Sequence, residues 1–178
     1  MRTESDKARI EVFMAALGAR VRGSGRIYFT GGATAILYGW RKMTIDVDIK
    51  PDPEPDGLFE ALAALKDELD INIELASPDD FIPPVPGWQE RSIFIARYGS
   101  LDFFHYDPYG QALSKLQRGH ERDLVDVAGL VRSGLVVPKR LPEMYGQIEA
   151  DLIRYPAIES ASFRSAVMEF CDANTELE

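Results

Sequence analysis

Two carboxylates in the first third of the chain are spaced for metal binding. Asp46 and Asp48 alternate with the branched apolar residues Ile45, Val47 and Ile49. Successive side chains of a β-strand point to opposite faces, so the two carboxylates project together while the aliphatic side chains face a core. Such a pair can share a divalent ion. The alternative is a solvated strand end without chemistry.

A glycine turn precedes this acidic segment by one helix length. Gly31 and Gly32 stand between an apolar stretch and a helical one, and Thr34 follows two residues later. Glycine lets backbone N–H groups approach phosphates closely, and the start of a helix favours anions. We therefore predict a nucleotide-phosphate site from Gly31, Gly32, Thr34 and Thr44. The alternative is a plain strand-to-helix turn with Thr34 packed on a sheet.

Nucleotide transfer with two metal ions requires about three carboxylates, which stabilise the entering and leaving oxygens through the ions. Asp102 and Glu74 each stand between two apolar residues of a predicted strand, so either one could complete the set. We favour Asp102 because its strand leads toward the helix that carries Lys115. The predicted catalytic and metal-binding residues are therefore Asp46, Asp48 and Asp102.

The composition limits the kind of metal and partner. The 178 residues include one cysteine, Cys171, and two histidines, His105 and His120, so a thiolate cluster is excluded, an imidazole-rich site is not expected, and a hard ion such as Mg²⁺ or Mn²⁺ fits best. A net charge of -9 argues against a strongly electrostatic grip on a nucleic-acid backbone. No apolar stretch reaches the ~20 residues of a membrane span, and the charged N-terminal segment indicates a cytoplasmic protein.

Apolar periodicity and turn residues predict the elements that position these groups. Helices are expected over 5–21, 33–38, 57–69, 111–118, 121–132, 141–155 and 159–172, and strands over 26–30, 44–50, 71–75, 92–98 and 101–106, with a proline-rich loop over 77–87. This order predicts a single domain with a core over 1–107 and a packed C-terminal helical region over 108–178.

The order of strand, Gly-Gly turn, helix and Asp-x-Asp strand resembles the minimal nucleotidyltransferases related to DNA polymerase β. It is most similar to the AbiEii-type branch, which includes toxins of bacterial toxin–antitoxin systems. A second similarity lies in a Lys-Leu helix followed by an Arg-Asp-x-x-Asp helix start, which here are Lys115, Arg122, Asp123 and Asp126. The resemblance implies that Lys115, Arg122 and Asp123 contact or position the nucleotide. The alternative is a salt-bridged helix pair.

The resemblance also implies a fold and an activity. The fold is the α+β nucleotidyltransferase fold, with a small mixed sheet flanked by helices and a C-terminal helical region. The activity is transfer of an NMP group from an NTP to an acceptor hydroxyl of RNA such as tRNA, a protein or a small molecule, with Mg²⁺ or Mn²⁺ as cofactor. A cognate antitoxin protein is a candidate partner. The rival hypothesis is a catalytically degenerate member that acts as a binding or regulatory module.

Overall fold

The computed structural model describes residues 3–175, so Met1 and Arg2 of the charged N-terminal segment lie outside the described residues. The chain forms two compact units. The first comprises the chain up to Ser77 together with Ser92–Tyr106, and the second comprises Pro78–Arg91 together with the chain from Asp107 onward. Pro78–Arg91, which includes most of the predicted proline-rich loop over 77–87, belongs to the second unit.

The first unit is a five-stranded mixed sheet with three helices. Its elements are α1 (Lys7–Arg20), β1 (Gly25–Phe29), α2 (Gly31–Tyr38), β2 (Asp46–Pro51), α3 (Leu58–Glu68), β3 (Asn72–Leu75), β4 (Ile93–Tyr98) and β5 (Leu101–His105). The strand order is β3-β2-β1-β5-β4. β2 is antiparallel to β1 and parallel to β3, whereas β5 is parallel to β1 and antiparallel to β4.

Apolar side chains on one face of this sheet form the core of the first unit. Val47 and Ile49 of β2 are fully buried there, together with Ile27 and Phe29 of β1. Helices α1, α2 and α3 contribute the other members of the same cluster. Because side chains alternate along a strand, the intervening residues of each strand lie on the opposite face, which we call the second face.

The second face carries both polar and aromatic residues. Asp46 and Asp48 lie on it near one end of β2. Val47 and Ile49, which alternate with them, are fully buried on the core face. Further along, Tyr28 of β1 stacks on Phe104 of β5 with ring centroids 5.2 Å apart. The candidate site is therefore at one end of this face.

The second unit is helical. Its helices are α4 (Trp88–Arg91), α5 (Pro108–Arg118), α6 (Glu121–Arg132), α7 (Leu141–Ile148) and α8 (Ser160–Ala173), with 3₁₀ segments over Pro78–Asp80, Pro138–Arg140 and Glu149–Arg154. The helix predicted over 141–155 is thus α7 followed by a 3₁₀ segment. Tyr145 and Phe163 pack edge to face, with centroids 4.9 Å apart, between α7 and α8.

The cap of α5 explains where that helix begins. The Asp107 side chain accepts a hydrogen bond from the Tyr109 N–H, and Pro108 occupies the first turn, where its missing N–H costs nothing. Arg91 donates two hydrogen bonds to the same carboxylate. Burial raises the pKa of Asp107, and the ion pair with Arg91 opposes that shift.

Within residues 3–175, no helix is both long and apolar enough to cross a bilayer.

Candidate active site

The strand period places Asp46 and Asp48 on the same side of β2. Both are half-buried, whereas the intervening Val47 and the following Ile49 are completely buried in the core. The backbone N–H of Thr30 donates to the Asp48 carbonyl at 3.1 Å, which fixes the end of β1 beside this carboxylate. The two carboxylates therefore share one face and stand where α2 begins.

Gly31 lets the start of α2 lie close to the Asp48 carboxylate. It is the first residue of α2 and has a φ of 56°, a left-handed conformation that favours glycine. A Cβ atom at this position would lie 3.2 Å from Asp48 Oδ2. A side chain at residue 31 would thus be strained and would crowd the carboxylate, so both the turn and the close approach require glycine.

Gly32 is enclosed by the connection between α2 and β2. A Cβ atom here would overlap Thr44 Oγ1 and would lie 3.2 Å from Arg41 Nη1. The Thr44 hydroxyl donates to the carbonyl of Asp46 at 3.0 Å, which ties this connection to the acidic strand. Gly31, Gly32, Thr44, Asp46 and Asp48 are thus brought together, as the sequence pattern predicts.

Arg41 is a candidate site residue that the sequence analysis missed. Its guanidinium lies beside Gly32 in the first turn of α2, where a phosphate would be bound. Guanidinium groups suit phosphate because they carry a fixed charge and a planar set of donors. The sequence feature that could have indicated Arg41 is a basic residue in the short connection between the glycine-turn helix and the acidic strand. Apolar periodicity gives no information about such a connection.

Thr34 does not reach the phosphate side of the turn. Its side chain is 1% exposed, its hydroxyl donates to the Phe29 carbonyl at 3.3 Å, and it lies 3.1 Å from Nδ1 of His105. This arrangement connects α2 to the ends of β1 and β5 inside the first unit. The structure therefore favours the alternative stated for Thr34, a helix residue packed on the sheet, over a phosphate contact.

The buried imidazole of His105 gives a pH-dependent prediction. Burial lowers the pKa of His105 from 6.5 to about 4. Between these two values the unfolded chain binds a proton that the folded chain does not, so the free energy of unfolding decreases as the pH falls through this window, by up to ~3 kcal/mol. In urea titrations at pH 7, 5.5 and 4.5, His105→Gln should lose less stability than the wild type. His120→Gln, at an exposed position, should show the wild-type dependence of unfolding free energy on pH. The same pH dependence in all three proteins would contradict the prediction.

The strand register separates Asp102 from the Asp pair. Asp102 pairs with Arg26 on β1, whereas Asp48 lies beside Thr30, four residues or about 13 Å further along the same strand. Arg97 also donates two hydrogen bonds to the Asp102 carboxylate, at 2.6 and 2.8 Å, which hold its pKa below the ordinary value. The register therefore places Asp102 away from Asp46 and Asp48, which favours Glu74, the alternative that the sequence left open, as the third carboxylate.

Glu74 occupies the position that Asp102 was expected to fill. In the parallel pairing of β2 with β3, Asp48 is matched with Glu74 and Asp46 with Asn72. Parallel neighbours are about 4.8 Å apart, and matched residues project from the same face. Asn72 Nδ2 donates to Asp46 Oδ1 at 2.6 Å and to Glu74 Oε1 at 3.2 Å. Glu74 is thus the third carboxylate at this end of the sheet.

The donor set suits a hard cation bound together with a substrate. Among residues 3–175, no group of three carboxylate, imidazole or thiol side chains is drawn together tightly enough to enclose a metal. Mg²⁺ is commonly held by only one or two carboxylates plus substrate phosphates and water, and it prefers oxygen ligands. Two adjacent carboxylates beside a glycine turn at a helix start, with Glu74 one strand away, fit that mode of binding.

The second sequence motif forms a buried ion cluster in the second unit. Lys115 Nζ donates to Asp126 Oδ2 at 2.7 Å and to Asp123 Oδ1 at 3.3 Å, and Arg118 donates to Asp123 Oδ1 at 2.7 Å. Lys115 is 7% exposed, and Asp123 Oδ2 is buried without a hydrogen-bond partner. This cluster joins α5 to α6. Arg122, by contrast, is exposed on α6.

A comparison with known proteins assigns the class. Residues 10–177 match the family described as "Nucleotidyltransferase of unknown function (DUF6036)". Because the match spans nearly the whole chain, the protein belongs to this nucleotidyltransferase family. No curated protein and no solved structure matches the chain significantly.

The predicted α+β nucleotidyltransferase fold, with its mixed sheet, flanking helices and C-terminal helical region, is confirmed. Membership of the family implies an NTP substrate.

Proposed function

We propose that the protein transfers an NMP group from an NTP to an acceptor hydroxyl in a reaction that depends on Mg²⁺ or Mn²⁺. The observation that carries this proposal is the close approach of the Asp48 carboxylate to the start of α2, where a Cβ atom at residue 31 would lie 3.2 Å from Oδ2. It joins a cation ligand to a phosphate-binding turn, which are the two parts that nucleotide transfer requires. Family membership supports the same class of reaction.

Asp46 and Asp48 are the proposed cation ligands, and Glu74 replaces Asp102 as the third carboxylate. A bound Mg²⁺ would neutralise charge on the triphosphate and lower the energy of the transition state. The backbone N–H groups at Gly31 and Gly32 bind phosphate oxygens, aided by the positive end of α2. Thr44 holds the connection in place through its hydrogen bond to the backbone of Asp46.

Positive charge for the triphosphate comes in this proposal from Arg41, which lies beside Gly32. Lys115 forms ion pairs with two buried carboxylates, those of Asp123 and Asp126. We therefore assign Lys115 and Asp123 a structural role, in which they hold α5 against α6. Arg122, being exposed, stays a proposed contact to the nucleotide or the acceptor.

The proposed reaction forms one bond and breaks one. The acceptor hydroxyl oxygen attacks the α-phosphorus, and the bond from the α-phosphorus to the oxygen that bridges to the β-phosphate breaks. Pyrophosphate leaves with that bridging oxygen, and the proton of the hydroxyl passes to a carboxylate of the site. The chain's own groups act by aligning the α-phosphate between the glycine turn and the Asp pair, so the gain comes from orientation and electrostatics.

The similarity of the two motifs to AbiEii-type proteins supports a role as the toxin of a toxin–antitoxin pair or as a phage-defence component, with a cognate antitoxin as partner. The acceptor in this proposal is RNA such as tRNA, a protein or a small molecule. The net charge of -9 favours an acceptor that does not depend on a broad basic surface.

The proposal is tested by incubating the purified chain with each α-labelled NTP in turn, with Mg²⁺ or Mn²⁺ and with total tRNA or cell lysate. We expect label to enter one acceptor class with one preferred NTP, and chelation of the metal to abolish it. The absence of label from every fraction, with every NTP and with both metals, would contradict the proposed function.

A further inference from the structure

One side-chain amide holds two carboxylates of the candidate site. Asn72 Nδ2 donates to Asp46 Oδ1 at 2.6 Å and to Glu74 Oε1 at 3.2 Å. An amide nitrogen carries two hydrogens, so it can serve both acceptors at once, whereas the amide oxygen would be repelled by them. A single electropositive point on β3 therefore orients acidic groups from two strands.

Strand formation does not account for an asparagine here. Asn is depleted in strands, yet Asn72 is the first residue of β3 and is matched in register with Asp46. It is half-buried, and its bond to the half-buried Asp46 is the shorter of the two. A polar residue that only faced solvent would need no such geometry, so the contact points to a role toward the carboxylates.

The hydrogen bond also decides which oxygen of Asp46 is left for a ligand. With Oδ1 engaged by Asn72, Oδ2 is the oxygen available to a cation. Ligating carboxylates in metal sites are usually oriented by such outer hydrogen bonds, and loss of an outer partner typically weakens metal affinity by about 10–100-fold.

We propose that Asn72 is a positioning residue of the cation site, which fixes the carboxylates of Asp46 and Glu74 in the orientation that receives a divalent cation. Asn72 acts through these two groups and does not itself contact the ion. This inference rests on the proposed function, because it assumes that Asp46 and its neighbours bind a cation.

The test uses Mn²⁺ as the probe, both alone and together with a non-hydrolysable NTP analogue, with protein-free samples as the reference. Binding of Mn²⁺ to the full chain is followed by the loss of the free-ion signal in electron paramagnetic resonance, and folding is checked by thermal denaturation. Asn72→Leu keeps the approximate shape but has no donor, and Asn72→Ala provides a second variant without one. Both are expected to bind Mn²⁺ at least ~10-fold more weakly than the wild type.

Asn174→Ala is the matched control. It removes an amide that donates to the Phe170 carbonyl at the end of α8, and it should leave Mn²⁺ affinity unchanged. Wild-type affinity in a folded Asn72→Leu or Asn72→Ala protein would overturn the inference while leaving the proposed function standing. Wild-type protein that binds no Mn²⁺ either alone or with the NTP analogue, or an Asp48→Asn variant that binds it equally well, would overturn the cation site itself and the inference with it.

Discussion

Asp48→Asn is expected to slow nucleotidyl transfer by about 1,000-fold, which corresponds to ~4 kcal/mol of lost transition-state stabilisation. The substitution removes the negative charge that lies against Gly31 at the start of α2 while keeping the size of the side chain. Asp48 is half-buried on the second face, so the fold should survive. The measurement is the initial rate of label transfer from the preferred NTP, with the thermal midpoint recorded for each protein.

Asp102→Asn makes the same chemical change on β5, which is separated from β2 by β1, and serves as the control. Asp102 is paired with Arg97 about 13 Å along the sheet from the Asp pair, and it should keep near wild-type activity. An equal loss of activity in both variants would indicate a general effect on the unit. Selective loss in Asp102→Asn would restore the choice of Asp102 and contradict the site described here.

Lys115→Ala is expected to lower the free energy of unfolding by about 3–5 kcal/mol. We expect this loss of stability to exceed any direct effect on nucleotide binding. Removing the ammonium takes the shared cation from the buried carboxylates of Asp126 and Asp123, although Asp123 keeps its ion pair with Arg118. A buried carboxylate that loses its partner is costly because it is poorly solvated. The measurement is the free energy of unfolding from urea titration at pH 7.

Lys7→Ala is the control for that prediction, because Lys7 is exposed at the start of α1 and should change stability by no more than ~0.5 kcal/mol. Lys115→Arg, which keeps the charge, should recover part of the lost stability. If Lys115→Ala unfolds at the wild-type urea concentration but binds NTP poorly, the ion cluster is not structural and Lys115 is a nucleotide contact instead.

Local patterns in the sequence predicted the parts of the site that lie within one element. The alternation around Asp46 and Asp48 defined their common face, because side-chain direction along a strand has a period of two. The two glycines, predicted to precede the helix, form the first two residues of α2. Strands were predicted over 92–98 and 101–106, and the structure pairs Tyr98 with Leu101 across the two residues between them.

The sequence did not predict features that depend on how strands are ordered and aligned. Asp102 and Glu74 both alternate with apolar residues, and only the register shows that Glu74 is matched with Asp48 while Asp102 lies at the far end of β5. Arg41 reaches Gly32 only because the α2–β2 connection folds back over the helix start. Asn72 owes its contacts to the pairing of β3 with β2.

The most direct test of the central claim is to give the wild-type protein the preferred NTP labelled either at the α-phosphate or at the γ-phosphate, under otherwise identical conditions. Nucleotidyl transfer predicts that the α-label enters the acceptor while the γ-label is recovered in pyrophosphate. Entry of the γ-label into the acceptor, or release of free phosphate with no labelled acceptor, would contradict the account.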